Sequence, residues 1–508
     1  MSQKHTVIVI GAGISGIKSA IDLTANGVEN IILESRDRVG GRLHTHITEN
    51  GLKFDMGASW FHDCLVNPLL KKSLDKDNVE FFFDNGKSGY YNKEVGLIPA
   101  NYKIQPVVDE IVAFLKLNYE ELEPKDDRSF REAIFEYLKF QKDILTEDQI
   151  KFAPQVMRRL ELWMGTSWKC LSARIMSSMD GHLGRDAFLL SGYGASVYQN
   201  ELLELAQLNG FKTTEEFVSK KEKLLLNKQV FKVAFDDSTK EICVSVVNEN
   251  GKVEQYYSDY LISSVPLSVL QLKDPKEKGA IQWDPPLPSS LVSALDNITY
   301  SALGKVFFEF DEVFWPADTE RFICIPSEDK ELTNGVLNNQ PVWFGPKEKN
   351  DKPLDSSVTP DGFDYNVLLL NLYRSTGKPL IGALIATPLT NYVESNPVEK
   401  VWPIFKPLLA NVSGLKPEQV KEPKQIIKTN WTNDPYARGS YLGGSVGDNP
   451  ELCLKVMTEA KNIFDGKGRV RFVGEALIDV GDGCAHGAWW SAEREVKQLL
   501  KLINKSKL

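Results

Sequence analysis

The chain has 508 residues, 42% of them hydrophobic and 25% charged, with a formal net charge of −9. That is the composition of a globular protein with a sizeable core, long enough for two or three domains or one large interrupted one. No apolar run approaches the roughly 20 residues of a membrane helix, the N-terminus has no basic-then-apolar leader, and the acidic balance argues against nucleic acid as a partner.

Val7-Ile8-Val9-Ile10 is an unbroken apolar run, as expected of a strand in a parallel sheet buried on both faces. Gly11, Gly13 and Gly16 follow as G-x-G-x-x-G, with Ser15 inside the motif. Gly11 permits a tight turn, Gly13 lets a pyrophosphate approach the backbone, and Gly16 lets helix and strand pack closely. A helix with Ile14, Ile17 and Ile21 at helical spacing comes next and stops at Asn26-Gly27. Its N-terminus offers free N–H groups and a positive dipole end to phosphates. The second strand, Ile31-Ile32-Leu33, ends in Glu34, 18 residues past Gly16, where a carboxylate can accept from ribose hydroxyls. Strand, glycines, helix, strand and acid in this order point to a bound dinucleotide. Arg38-Val39-Gly40-Gly41-Arg42 follows, with arginines flanking glycines to neutralise phosphate. Gly57-Ala58-Ser59-Trp60 is a small-residue turn closed by an aromatic ring.

Residues 105–185 read as helical, with Phe130, Ile134, Tyr137 and Leu138 at helical spacing and a Thr146/Gln149 capping box. Pro154 is expected to kink or restart its helix. From Gln229 the period changes to strands: 229–235, 241–247 and 253–257 predict a meander, and 260–266 a separate buried strand. Residues 300–312 predict one strand, and 368–372 and 380–386 two more. Arg471 to Glu475 reads as strand then turn, and Gly481 to Ala488 leads into a final helix with Val496, Leu499, Leu500 and Ile503 on its apolar face.

The six cysteines are scattered without a C-x-x-C pair, which suggests a reducing compartment and no zinc site. Among the six histidines only His44 and His46 lie close in sequence, with no third ligand nearby, so no metal is expected. The last three residues, Ser506-Lys507-Leu508, read as a peroxisomal address recognised by an import receptor.

Taken together, GAGISG (11–16), LESRDRVGGR (33–42), GASW (57–60), SSVPLSVL (263–270), ALGKVFFEF (302–310), NWTNDPYARGSY (430–441), FVGE (472–475) and GCAHGAW (483–489) resemble the flavin-containing amine oxidases. ASW-x-H-D (58–63), LELW (160–163) and LGKVFFEF (303–310) are most similar to fungal polyamine oxidases. The resemblance implies an α/β fold: a Rossmann-like FAD-binding domain of the GR2 type built from 1–85, 186–290 and 425–508, and an interrupted α+β substrate domain from 86–185 and 291–424. It implies FAD held without a covalent bond, since Ser440 stands nearest to the cysteine that tethers flavin in monoamine oxidases. Gly11, Gly13, Ser15 and Gly16 would serve the pyrophosphate and Glu34 the ribose. Arg42, Gly57 and Ala58 would lie on the flavin side, Val230 at adenine, Glu475 near the ribityl chain, and Gly483 and Ala485 at the helix end facing the flavin.

The implied activity is oxidation of the carbon next to an amine, polyamine or acetylpolyamine, with hydride passing to flavin N5 and O2 giving H2O2. Lys305 and His62 would be catalytic, and Trp60, His62, Trp168 and His486 would line the substrate channel. The family usually has a tyrosine, one wall of an aromatic cage over the flavin, where this chain has His486. Asn85 to Ser88 beside Asp84, and Ser191 to Tyr193, are the counterparts of the groups that catch distal amines. Ala476-Leu477 follows Glu475 where a small hydroxyl is usual. These departures leave a second expectation open: a steroid- or lipid-binding flavoprotein with an apolar steroid-like ligand and low or no turnover.

Overall fold

The computed structural model describes residues 4–83, 86–179, 181–460 and 463–506. Asp84 and Asn85, and Lys507 and Leu508 of the terminal tripeptide, lie outside the described residues.

β1 (Lys4–Ile10) is central to an eight-stranded sheet. It pairs in parallel with β2 (Asn30–Leu33) on one side and with strand Val253–Ser263 on the other. Val7, Ile8 and Val9 are wholly buried, as a strand covered on both faces requires. α1 (Ile14–Ala25) joins β1 to β2 and packs between helices Val197–Leu208 and Ala485–Ser506. The last helix contributes buried Val496, Leu499 and Ile503, with Leu500 half-buried beside them. Its sequence stripe thus closes the chain's end onto its beginning.

The meander Lys228–Asp236, Glu241–Asn248 and Val253–Ser263 extends this sheet, and Val470–Phe472 pairs with the end of Val253–Ser263. Residues 253–263 form one strand rather than the two expected. Its first half pairs antiparallel within the meander and its second half parallel with β1, so ladders on both sides keep Ser258-Asp259 extended where a break was expected.

A second, seven-stranded sheet has the order Gln425–Lys428, Leu303–Glu309, Leu380–Ala386, Val367–Asn371, Arg321–Cys324, Ser88–Asn92, Gly96–Leu97. Helix Val398–Ser413 covers it with Trp402, Phe405 and Leu408. The expected strand at 300–312 divides at Ala302: Tyr300–Ser301 pairs instead with Tyr441–Leu442. Helices Ile104–Tyr119, Phe130–Phe140 and Glu147–Met157 form a third body around Phe130, Ile134, Tyr137 and Leu138. The Thr146/Gln149 capping box is present. Pro154 does not restart its helix, which continues to Met157 and then tightens into a 3-10 turn at Arg158–Leu160. The proline forfeits the bond to the Ile150 carbonyl but sits in the last α-turn, so only one turn follows it before the helix tightens. Among the described residues no helix is long and apolar enough to cross a membrane. The architecture is mixed α/β with several sheets.

Candidate active site

A cavity of about 1010 Å³ extends from the C-terminal end of β1 to the second sheet. It begins at the glycine motif. Gly11 has φ +97°, and a Cβ there would lie 2.4 Å from Ser264 Oγ. A Cβ on Gly16 would lie 2.0 Å from Gly11 O, so α1 can approach β1 only with glycine at this position. Gly13 faces open space and caps α1 with no side-chain hydrogen bond and no acid in the first turn. The helix therefore presents bare N–H groups to the cavity, which Gly13 and Ser15 line. Glu34 is buried at β2's end, accepting from the Ala12 N–H at 2.7 Å and the Arg36 N–H at 2.9 Å. Val230 lines the same end beside a register shift between Val230 and Lys232, a bulge that re-aims side chains. Arg38 turns back to the carbonyls of Val39 and Gly41, whereas Arg36, held by Asp434 at 2.6 Å, lines the cavity. Of the arginines beside the glycine pair, Arg36 and Arg42 thus line the cavity and Arg38 does not.

In the middle, Arg42 Nη1 donates to Glu475 Oε1 at 2.9 Å and to Ser440 O at 2.7 Å. The Tyr300 hydroxyl donates to the same Glu475 oxygen at 2.5 Å. Glu475 Oε2 is buried and has no hydrogen-bond partner among the described residues, although Glu475 lines the cavity. Such an atom calls for a donor, and a polyhydroxylated chain would supply one. Gly57 packs so tightly on Arg42 that a Cβ would lie 1.6 Å from Arg42 O. Ala58 lines the cavity beside it.

At the far end strand Leu303–Glu309 delivers Lys305, which is 5% exposed. Its Nζ donates to Asp55 O at 3.1 Å, Ser59 Oγ at 2.5 Å and Gly57 O, and lies 5.5 Å from the Trp60 ring centroid. Burial pushes the ammonium down to about 8, against the charge of Asp55. Lys305 therefore pins the 55–59 turn as well as facing the cavity. Trp431 and Tyr441 also line this end, fixed by bonds to Met56 O and Leu162 O. The C-terminal helix aims its start here, with Gly483, Cys484 and Ala485 in the wall and no acid in its first turn.

Antiparallel pairing of Trp60–Phe61 with Ala187–Leu189 brings His62 beside Asp186. His62 Nδ1 approaches Asp186 Oδ1 to 3.0 Å, and His182 Nδ1 lies 2.9 Å from Asp186 Oδ2. Against the pull of burial, Asp186, Asp63 and Asp482 raise the His182 imidazole. Asp186 itself, despite burial, is held well below the usual carboxylate range by the two imidazoles. Asp482 also lines the cavity; burial and the Glu475 charge push its carboxyl up to about 6.

Three expected groups lie elsewhere. His486 is 1% exposed and sits behind the wall, its Nε2 3.0 Å from Asp63 Oδ2, because it points from the first turn of the C-terminal helix toward Gly481. Burial pushes it down to about 4. Cys484, two residues earlier, takes the cavity position given to His486. Trp168 is buried in the helical body with the Arg158 guanidinium 4.9 Å from its ring, and Trp163 lines the cavity instead. Ser191 and Tyr193 are buried away from the cavity, the Tyr193 N–H donating to Asp55. Sequence missed Arg36, Trp163, His182, Asp186, Trp431, Tyr441 and Cys484. Trp431 and Tyr441 had a signal, since both lie within the matched 430–441 segment; His182 and Asp186 had none.

The fold and cavity define a mixed α/β protein with a glycine-turn ligand site that ends at a buried lysine. Residues 14–500 match the model of the flavin-containing amine oxidoreductase family, and the chain belongs to that family of flavin-dependent oxidoreductases. It is 30% identical over 96% of its length to a corticosteroid-binding protein of Candida albicans, covering 94% of that protein. It is 26% identical to polyamine oxidase 4 of Oryza sativa over 98% of this chain and 89% of the relative. It is 25% identical to a probable polyamine oxidase 4 of Arabidopsis thaliana over 95% and 84%.

Proposed function

We propose that the protein is an FAD-dependent oxidase of polyamines or acetylpolyamines. One observation carries the reading: the cavity that starts at the dinucleotide turn ends at Lys305 and Trp60 under the carboxylates of Asp63, Asp186 and Asp482. A cationic, flexible amine suits such an end, with acids for its charges and aromatic faces for its methylenes. The residues fit FAD as well. Gly13 and the bare start of α1 would hold the pyrophosphate and Glu34 the ribose, while Glu475 Oε2 offers an acceptor at mid-length. Bound there, FAD would supply the acceptor for a hydride from the carbon beside a neutral amine, with O2 as the final oxidant and H2O2 as product.

The chain's own residues would bind, orient and deprotonate. The acids would attract the ammonium groups, and Trp60, Trp163 and Tyr441 would order the chain of methylenes. His62, paired with Asp186, would receive a proton from the reacting ammonium. Lys305 would fix the turn against which the reacting carbon is aligned. Non-covalent retention is supported by two nucleophiles made inert. Ser440 Oγ is engaged with the Leu303 backbone, and burial with the Asp482 charge pushes the Cys484 thiol far up. We extend the proposal to a division into an FAD part (1–85, 186–290, 425–508) and a substrate part (86–185, 291–424); the first carries the whole eight-stranded sheet and the second the seven-stranded sheet except its edge strand Gln425–Lys428.

The test is peroxide release with spermine, spermidine and N-acetylspermine. Release with at least one supports the reading; silence with all three removes it. The Candida relative's name and the apolar residues Leu162, Met179 and Leu183 in the wall favour one second reading, a steroid-binding flavoprotein. Saturable binding of labelled corticosterone that spermine does not displace would select it.

A further inference from the structure

His62, His182 and Asp186 are the one group among the described residues in which three metal-capable side chains converge. Strand pairing sets them there, since Phe61 lies opposite Ala187 and so puts His62 and Asp186 at the same sheet end. A nitrogen of each ring and a carboxylate oxygen lie within 4.8 Å of one another. The rings are held by ring contacts: His62 stacks on Trp60 at 6.1 Å and His182 on Trp163 at 5.0 Å, and the two imidazoles meet at 4.3 Å with their planes tilted by 39°. Side chains ordered in this way lose little further freedom on ligation. The hydrogen-bonding here is incomplete. His62 Nδ1 and Asp186 Oδ1 are buried and 3.0 Å apart, yet neither makes an aligned hydrogen bond. All three residues line the cavity.

We propose that His62, His182 and Asp186 form a binding site for a borderline divalent transition ion, of the Zn2+ or Cu2+ class, with its open coordination position facing the cavity. Two imidazoles and one carboxylate are the donor set such ions prefer, and three protein ligands leave a fourth position for water or another ligand. Ligand lengths of about 2.0–2.1 Å put tetrahedral donors about 3.4 Å apart, so the group closes on the ion by roughly an ångström of ring movement. Ion binding neutralises Asp186 and adds positive charge to the wall. On the amine-oxidase reading it therefore excludes the cationic substrate, whereas binding itself does not depend on that reading.

The experiment titrates the flavin-loaded full chain with Cu2+ and records its electron paramagnetic resonance, oxidised flavin being silent. One tightly bound equivalent with splitting from two imidazole nitrogens is expected, competed away only by a large excess of Zn2+. His182→Ala and Asp186→Asn should each weaken binding by about 100-fold or more, while His46→Ala leaves the signal intact. A signal unchanged in His182→Ala and Asp186→Asn, or lost in His46→Ala, overturns the site. Because a substitution can disturb the loop, crystals of the unaltered protein soaked in Zn2+ give an independent reading. An anomalous peak among the three side chains supports the site, and peaks only elsewhere overturn it. Amine turnover enters neither readout, so failure of the enzymatic reading and failure of this one are distinguishable.

Discussion

Replacing Lys305 by Met separates the two jobs the structure gives this residue. Its Nζ donates to Asp55 O, Gly57 O and Ser59 Oγ, so the substitution leaves three buried acceptors. Each costs about 1–3 kcal/mol unless it finds another donor, and the Ser59 hydroxyl can serve one, since it already lies 3.4–3.5 Å from Gly57 O and Asp55 O. Against this stands relief of a buried ammonium. The group titrates at about 8 rather than its usual 10.5, a difference that corresponds to about 3 kcal/mol of penalty at pH 7. Two acceptors without a donor cost about 2–6 kcal/mol and the relief is about 3, so Lys305→Met should destabilise by only about −1 to 3 kcal/mol at pH 7.

The pH dependence is the sharper test. Between about 8 and 10.5 the unfolded chain holds a proton on Lys305 that the folded chain has released. The native protein therefore gains stability from this residue as pH rises through that window, and Lys305→Met does not. The gap between wild type and variant should widen by about 3 kcal/mol from pH 8 to pH 10.5, read from urea midpoints by tryptophan fluorescence. A gap that stays constant refutes the buried-lysine argument. Amine-dependent flavin reduction should also slow about 100-fold, the cost of a turn displaced by roughly 1 Å.

Four further substitutions probe the cavity and its wall. Gly57→Ala places a Cβ 1.6 Å from the Arg42 carbonyl, which is backbone and cannot yield; the purified variant should show a 450 nm to 280 nm absorbance ratio far below wild type, with stability reduced by about 2 kcal/mol or more. Glu475→Gln leaves Arg42 without its carboxylate, which should cost about 2–3 kcal/mol and accelerate flavin loss in dilution assays. Cys484→Tyr intrudes on the cavity and should raise the amine KM, while His486→Asn, behind the wall, should lower stability by about 1–2 kcal/mol with little change in KM; the reverse pattern would restore His486 to the wall.

The first forty-two residues announced their own structure because every element there obeys a local rule. Val7 to Ile10 had to be buried on both faces, Gly11 had to turn, and Gly16 had to sit against Gly11, all visible in residue type and spacing. Lys305 was legible too, since a lysine between apolar strand residues is an anomaly that needs an explanation. What failed was direction. His486 and Cys484 are two residues apart at a helix start, and a turn of under 200° decides which one meets the cavity. Trp168 and Trp163 differ in the same way, and no apolar pattern separates a core tryptophan from a cavity one. The meeting of His62 with His182 and Asp186 depends on a short strand pair far apart in sequence, which no local pattern encodes.

Flavin-dependent amine oxidation can be followed in the 450 nm band of the purified, air-oxidised protein after anaerobic mixing with spermine, spermidine or N-acetylspermine. At least one of these amines should bleach the band within seconds to minutes, and admitting oxygen should restore it with an equivalent of peroxide. A band that all three leave untouched would contradict the enzymatic reading.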